Sequence, residues 1–165
     1  MPATSVPVTP AAPGSTVFTS LAPGVVAGGL IAGTLDIFVA TAINHVGPGV
    51  ILQAIASGLL GKASFHEGAG TVLLGLGLQW GMSLIIAAIY GLASLRLPAL
   101  ARQPVRFGAL FGVGVFIVMS FVVVPLSAAY PKPQPSVSGI VLNLAAMILF
   151  GLIVALTPWF MRKRP

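Results

Sequence analysis

Apolar side chains fill four long runs of the chain, with neither the two-residue alternation of a half-buried strand nor the polar stripe of a surface helix. The runs cover about Pro23–Asn44, Gly70–Leu95, Phe107–Ala129 and Val137–Phe160. At 1.5 Å per residue, about 20 residues cross the ~30 Å hydrocarbon core of a bilayer, so each run predicts a membrane-spanning helix. Val50–Leu60 is apolar but about 11 residues long, too short to cross. It follows the helix-breaking Gly47-Pro48-Gly49 and ends at Gly61-Lys62, which reads as a re-entrant or interfacial helix, with a buried core helix as the alternative. Residues 1–23 are rich in Pro, Ala, Ser and Thr, carry no charged side chain, and predict a flexible cytoplasmic tail. A secretory signal is not expected there, because the first Lys or Arg of the chain is Lys62. The expected fold is all-α: one integral membrane four-helix bundle over residues 24–161, with a basic cytoplasmic tail at 162–165.

Composition and charge sharpen this picture. Hydrophobic residues make up 57% of the chain and charged ones 6%, against about 25% in an ordinary soluble domain, so lipid is the expected partner of the surface. The chain has no cysteine, which removes disulfides, thiolate catalysis and cysteine metal sites. The net charge of +6 suggests nucleic acid less than membrane, because the basic residues sit beside apolar runs, where they orient helices and meet headgroups. Arg96, Arg102 and Arg106 fall between spans two and three, and Arg162, Lys163 and Arg164 follow span four. Four spans put both groups on one side, with only Lys62 and Lys132 on the other, and the positive-inside rule makes both ends cytoplasmic. Trp159 and Tyr130 near helix ends fit interfacial anchors.

Helices in lipid associate through close backbone approach and a few polar contacts. Gly29 and Gly33, Gly77 and Gly81, and Gly108 and Gly112 form small-xxx-small pairs in spans one, two and three, so these six glycines are the helix-packing candidates. Span four has no such pair of glycines. Whether these pairs join helices within one chain, in a homo-oligomer or to another membrane protein stays open. Pro125 and Pro158 each remove a backbone donor near a helix end and predict local bends.

Asp36 lies about 18 Å along span one, close to the bilayer midplane. A lone carboxylate there costs about 3 kcal/mol on insertion scales, so the side chain must face the bundle or carry a proton. Gly29, Gly33, Asp36, Ala40 and Asn44 follow steps of three and four, one face of a helix. Gln79 lies about 14 Å deep in span two, near the same level, within the stripe Gly75, Gln79, Ser83, Ala87 and Tyr90. The two stripes predict that spans one and two pack with Gln79 donating to Asp36. Asp36 and Gln79 are therefore the candidates for a proton- or ion-binding site; structural hydrogen bonding between helices is the competing reading. Ser120 and Asn143 read as interhelical hydrogen-bonding residues.

His45, His66 and Glu67 have no ligand-like spacing and read as a solvated loop, not a metal site. The chain has no phosphate loop, nucleophile elbow, zinc-protease helix or dinucleotide fingerprint, so neither an enzyme nor a cofactor is expected.

The segments Ala32-Gly33-Thr34-Leu35-Asp36, Leu52–Gly61, Leu73–Leu78 and Val122–Ser127 resemble a family of small uncharacterised bacterial inner-membrane proteins with four helices, over about residues 25–130. Spans two and three are also similar, more weakly, to the YagU-type proteins. Members of the first family often carry His where this chain has Gln79 and Asn where it has Ser120, so the resemblance carries over Asp36 alone. It implies a four-span protein of the bacterial inner membrane and no particular chemistry. Two functions follow from the residues: binding or passing a proton, ion or small solute at Asp36, or a non-catalytic structural or partner-binding role.

Overall fold

The computed structural model describes residues 13–132 and 136–162, which form helices and connections without a strand. In chain order these are α1 (Pro13–Asn44), α2 (Pro48–Leu60), a 3-10 turn (Gly61–Phe65), α3 (Ala69–Arg96), α4 (Pro98–Arg102), α5 (Pro104–Val118), a π-helical turn (Met119–Val123), α6 (Val124–Leu126) and α7 (Val137–Arg162). Four stretches are long and apolar enough to cross a membrane: Ala22–Asn44, Ala69–Arg96, Pro104–Leu126 and Val137–Met161.

Two boundaries differ from the sequence expectation. α1 begins at Pro13 and runs through Pro23, so residues 13–23 are helical where composition predicts a tail; residues 1–12 and 163–165 lie outside the described residues. The third span starts at Pro104, a residue suited to a first helical turn because its missing N–H has no partner to lose there. It ends at Leu126, where Ser127 turns extended.

α1 packs between α3 and α7, α5 packs on α7, and α2 packs on α3. Across the bundle the order is therefore α2, α3, α1, α7, α5. Small residues dominate the interior: Ala32, Ala56, Ala87 and Ala155 are buried, as are Ser57, Thr71 and Ser83, with Ile37, Leu52, Tyr90, Phe150 and Val154 the larger side chains among them. Large apolar side chains point outward, with Phe121 72%, Leu73 68% and Leu110 65% exposed. This inverts the arrangement of a water-soluble core and suits lipid on the outside.

The small interior follows from how closely the backbones approach. On its α7 side, a Cβ added to Gly24 would lie 2.8 Å from the Pro158 Cα, and one at Gly28 would meet Thr157 at 3.2 Å. On its α3 side, a Cβ at Gly29 would come within 3.2 Å of Ala87 Cβ, and one at Gly33 would strike the Ser83 side chain. α5 and α7 are closer still. Gly151 of α7 lodges between Gly108 and Gly112 of α5; a Cβ on Gly151 would lie 2.7 Å from the Gly112 nitrogen, and one on Gly112 would lie 2.7 Å from the Ile148 Cα. These pairings also set direction: the start of α5 meets the end of α7, so the two run antiparallel.

Pro125 acts one turn upstream of itself. Without an N–H it cannot bond the carbonyl four residues back, and the ladder widens into the π-helical turn, in which the Val124 N–H bonds Met119 O.

At the end of the bundle away from α4, α2 is tied both to α3 and to the chain after α6. Gly75 lets α3 approach the Leu52 backbone, and the Thr71 hydroxyl donates to Ser64 O at 2.7 Å. The Ala128 N–H donates to Gly58 O at 3.0 Å and the Tyr130 N–H to Ser57 Oγ at 3.0 Å. Lys62 Nζ stands 5.0 Å from the centre of the Tyr130 ring, a cation–π contact.

Gly112→Leu should separate α5 from α7, because the obstacle is backbone that cannot rotate away. The expected loss is about 1–3 kcal/mol, the usual scale of overpacking, read as a lower unfolding midpoint in detergent. Gly77→Leu, where nothing lies within 4 Å of an added Cβ, should leave the midpoint of a single chain within about 0.5 kcal/mol.

Candidate functional site

The seam between α1 and α3 holds the polar groups at membrane depth. Because Gly29 and Gly33 bring the two helices together, the Gln79 side chain reaches across: Nε2 donates to Asp36 Oδ2 at 2.8 Å and to Gly33 O at 3.3 Å. One residue on, the Trp80 indole N–H donates to Thr34 Oγ1 at 3.2 Å. Residues 33, 34 and 36 of α1 are thus matched to 79 and 80 of α3 by three side-chain hydrogen bonds.

The orientation of the Gln79 amide follows from chemistry. Gly33 O can only accept, so the NH2 end must face it, and that end has two hydrogens for its two acceptors. Oδ2 of Asp36 is thereby held as an acceptor, which leaves Oδ1 as the oxygen on which a bound proton would sit. No Lys or Arg lies inside the four spans except Arg96 and Arg106 near their ends, so the carboxyl has an amide as its partner and no neighbouring cation.

Asp36 is half-buried and also borders a crevice between α1 and α7, shared with Ala32, Val39, Ala146 and Phe150. The crevice has space on the scale of a single water molecule. Farther along α1, Thr41 Oγ1 is buried with no hydrogen-bond partner, a group that water or a bound ion would satisfy.

Of the expected packing residues, Gly29, Gly33, Gly108 and Gly112 lie at contacts. Gly77 and Gly81 do not: an added Cβ at either meets nothing within 4 Å. α3 packs through the face of Gly75, Ser83, Ala87 and Tyr90, all buried, and the Gly77–Gly81 edge is rotated off it. The stripe predicted around Gln79 is thus the one that packs. Ser120 falls in the π-helical turn and Asn143 is exposed, so the two do not join the Asp36 site. His45, His66 and Glu67 are exposed, and among the described residues no group of three potential metal ligands occurs.

Three features had weaker signals in the sequence. Gly24 and Gly28 form a second pair at four-residue spacing on α1, legible but overshadowed by Gly29 and Gly33. Gly151 has no glycine four residues away, because the glycines it meets are on α5. The Thr34–Trp80 bond joins two residues that each read singly as unremarkable.

Fold and site together define an all-helical protein built as a multi-pass membrane protein with a carboxyl–amide pair between its first two spans. Comparison with protein-family models, curated proteins and solved structures finds no match.

Removing one member of the pair leaves the other unpaired. A double-mutant cycle of Asp36→Asn and Gln79→Leu, read by unfolding in detergent, should give a coupling of about 0.6–2 kcal/mol, the range for interhelical hydrogen bonds in membranes. A coupling near zero would mean that the pair does not join α1 to α3.

Proposed function

We propose that the protein binds or passes a proton, ion or small solute across a bacterial inner membrane, with Asp36 as the protonatable centre and Gln79 as the group that orients it. The observation that carries this reading is the 2.8 Å bond from Gln79 to an Asp36 carboxyl far from any basic residue of the spans. Ionisable groups at membrane depth mark ion and proton pathways. The crevice beside Asp36 is too narrow for a solute, so passage requires helix movement or an assembly of several chains. The likeness to four-helix inner-membrane proteins at Ala32–Asp36 agrees with the inner-membrane placement and carries no chemistry of its own.

In this reading both ends are cytoplasmic and α2 is a re-entrant or interfacial helix. Charge supports that orientation: Arg96, Arg102 and Arg106 gather at the α4 end, while Lys62 and Lys132 lie at the other. Single cysteines introduced at Ser94 and Ser138 of this cysteine-free chain should react with an impermeant thiol reagent from opposite sides of the membrane. Reaction of both from the same side would overturn the orientation.

A second reading, a structural or partner-binding membrane protein, is favoured by one observation: Gly77 and Gly81 present a small-residue edge with nothing packed on it. Flux decides between the two. Proteoliposomes with wild-type protein should dissipate a proton or cation gradient, and Asp36→Asn at matched reconstitution should fall to the rate of protein-free vesicles. Equal rates in wild type and variant would leave Asp36 a packing residue and favour the second reading.

A further inference from the structure

The end of the bundle that carries α4 concentrates positive charge without an answer from within the chain. α3 closes with Arg96, α4 closes with Arg102, and Arg106 lies in the first turn of α5; all three are exposed. α7 also ends here, since Gly108 near the start of α5 lies against Ala155 near the end of α7. The chain has two acidic residues in all. Asp36 is engaged by Gln79 at membrane depth, and Glu67 precedes α3 at the opposite end. The side-chain contact of Arg106 is neutral, Nη1 donating to Gln103 Oε1 at 3.3 Å.

The arginines are held on a fixed frame. Leu97 N–H donates to Ala93 O at 2.9 Å, Gln103 N–H to Ala99 O at 3.0 Å, and Phe107 N–H to Gln103 O at 3.1 Å, so the two junctions of α4 are closed by backbone hydrogen bonds. Leu100 packs inward against the core cluster, and the Tyr90 hydroxyl reaches Leu100 O at 3.4 Å. The opposite side of the same connection exposes Leu97 by 55% and Val105 by 57%. A guanidinium presents planar donors that fit phosphate oxygens. A soluble anion supplies charge alone and makes no use of the apolar Leu97 and Val105 exposed beside the arginines. A phospholipid supplies both a phosphate and acyl chains.

We propose that the α3–α4–α5 connection is a binding site for an anionic phospholipid, its phosphate held by Arg96, Arg102 and Arg106 and its acyl chains against Leu97 and Val105. A zwitterionic lipid brings no net charge to offset three arginines, so the site selects anionic headgroups.

The test uses the full chain in neutral detergent micelles, titrated with phosphatidylglycerol, phosphatidylcholine or inorganic phosphate. The thermal midpoint is followed alongside the lipid retained in native mass spectra. Phosphatidylglycerol should raise the midpoint by about 5 °C near saturation and remain bound, while the other two should not. The combined variant Arg96→Gln, Arg102→Gln, Arg106→Gln should keep the lipid-free midpoint and lose the response. If it does not fold, Arg102→Gln alone should show a reduced response. An equal response to phosphatidylcholine, a response to phosphate matching that to phosphatidylglycerol, or full retention of the response in a folded variant would each overturn the proposal.

Discussion

Lipid tails compete on equal terms with neighbouring helices for apolar surface, so helices in a bilayer hold together only as well as their backbones can approach. In this chain that constraint falls first on α1. It lies between two partners and carries glycine toward both, Gly24 and Gly28 against α7, Gly29 and Gly33 against α3. α3 and α7 also lie between two partners, but α1 stands at the middle of the row, with a pair of glycines at four-residue spacing on each side. α5 then reaches the bundle by locking Gly108 and Gly112 around Gly151, and α2 by its approach at Gly75.

The chemistry of the interior depends on the same spacing. A glutamine side chain is short, and Gln79 meets both Gly33 O and Asp36 Oδ2 only because the helices touch at Gly33. Larger residues on that face would leave the carboxyl facing lipid without a donor, a costly state. The glycines are in this sense part of the carboxyl site. Outside, the large side chains that a soluble protein would bury form the surface that lipid solvates.

Much of this was legible in the amino-acid order because hydropathy length, charge placement and small-residue spacing are separate signals. Span positions, the stripe from Gly75 to Tyr90, and the partnership of Gln79 with Asp36 all follow from depth and helical period. What the order does not carry is which side of a helix finds a partner. Gly77 and Gly81 have the same spacing as Gly29 and Gly33, yet their edge faces away from the chain's other helices. Gly151 escapes for the converse reason, since its complement lies on α5. The helical start at Pro13 was hidden by composition, because Pro, Ser and Thr lower helix propensity in a segment that nevertheless continues α1.

The place of α1 in the bundle has a bearing on how the protein is made. α1 enters the bilayer first of the four spans, but one of its faces is completed by the second and the other by the fourth. During synthesis Asp36 gains its donor as soon as α3 arrives with Gln79, while its other side is covered only by α7. Gly24 and Gly28 stay against acyl chains until α7 is inserted. Biogenesis therefore has a built-in order in which the α1–α3 hairpin is the early unit and enclosure of the founding helix is the last event.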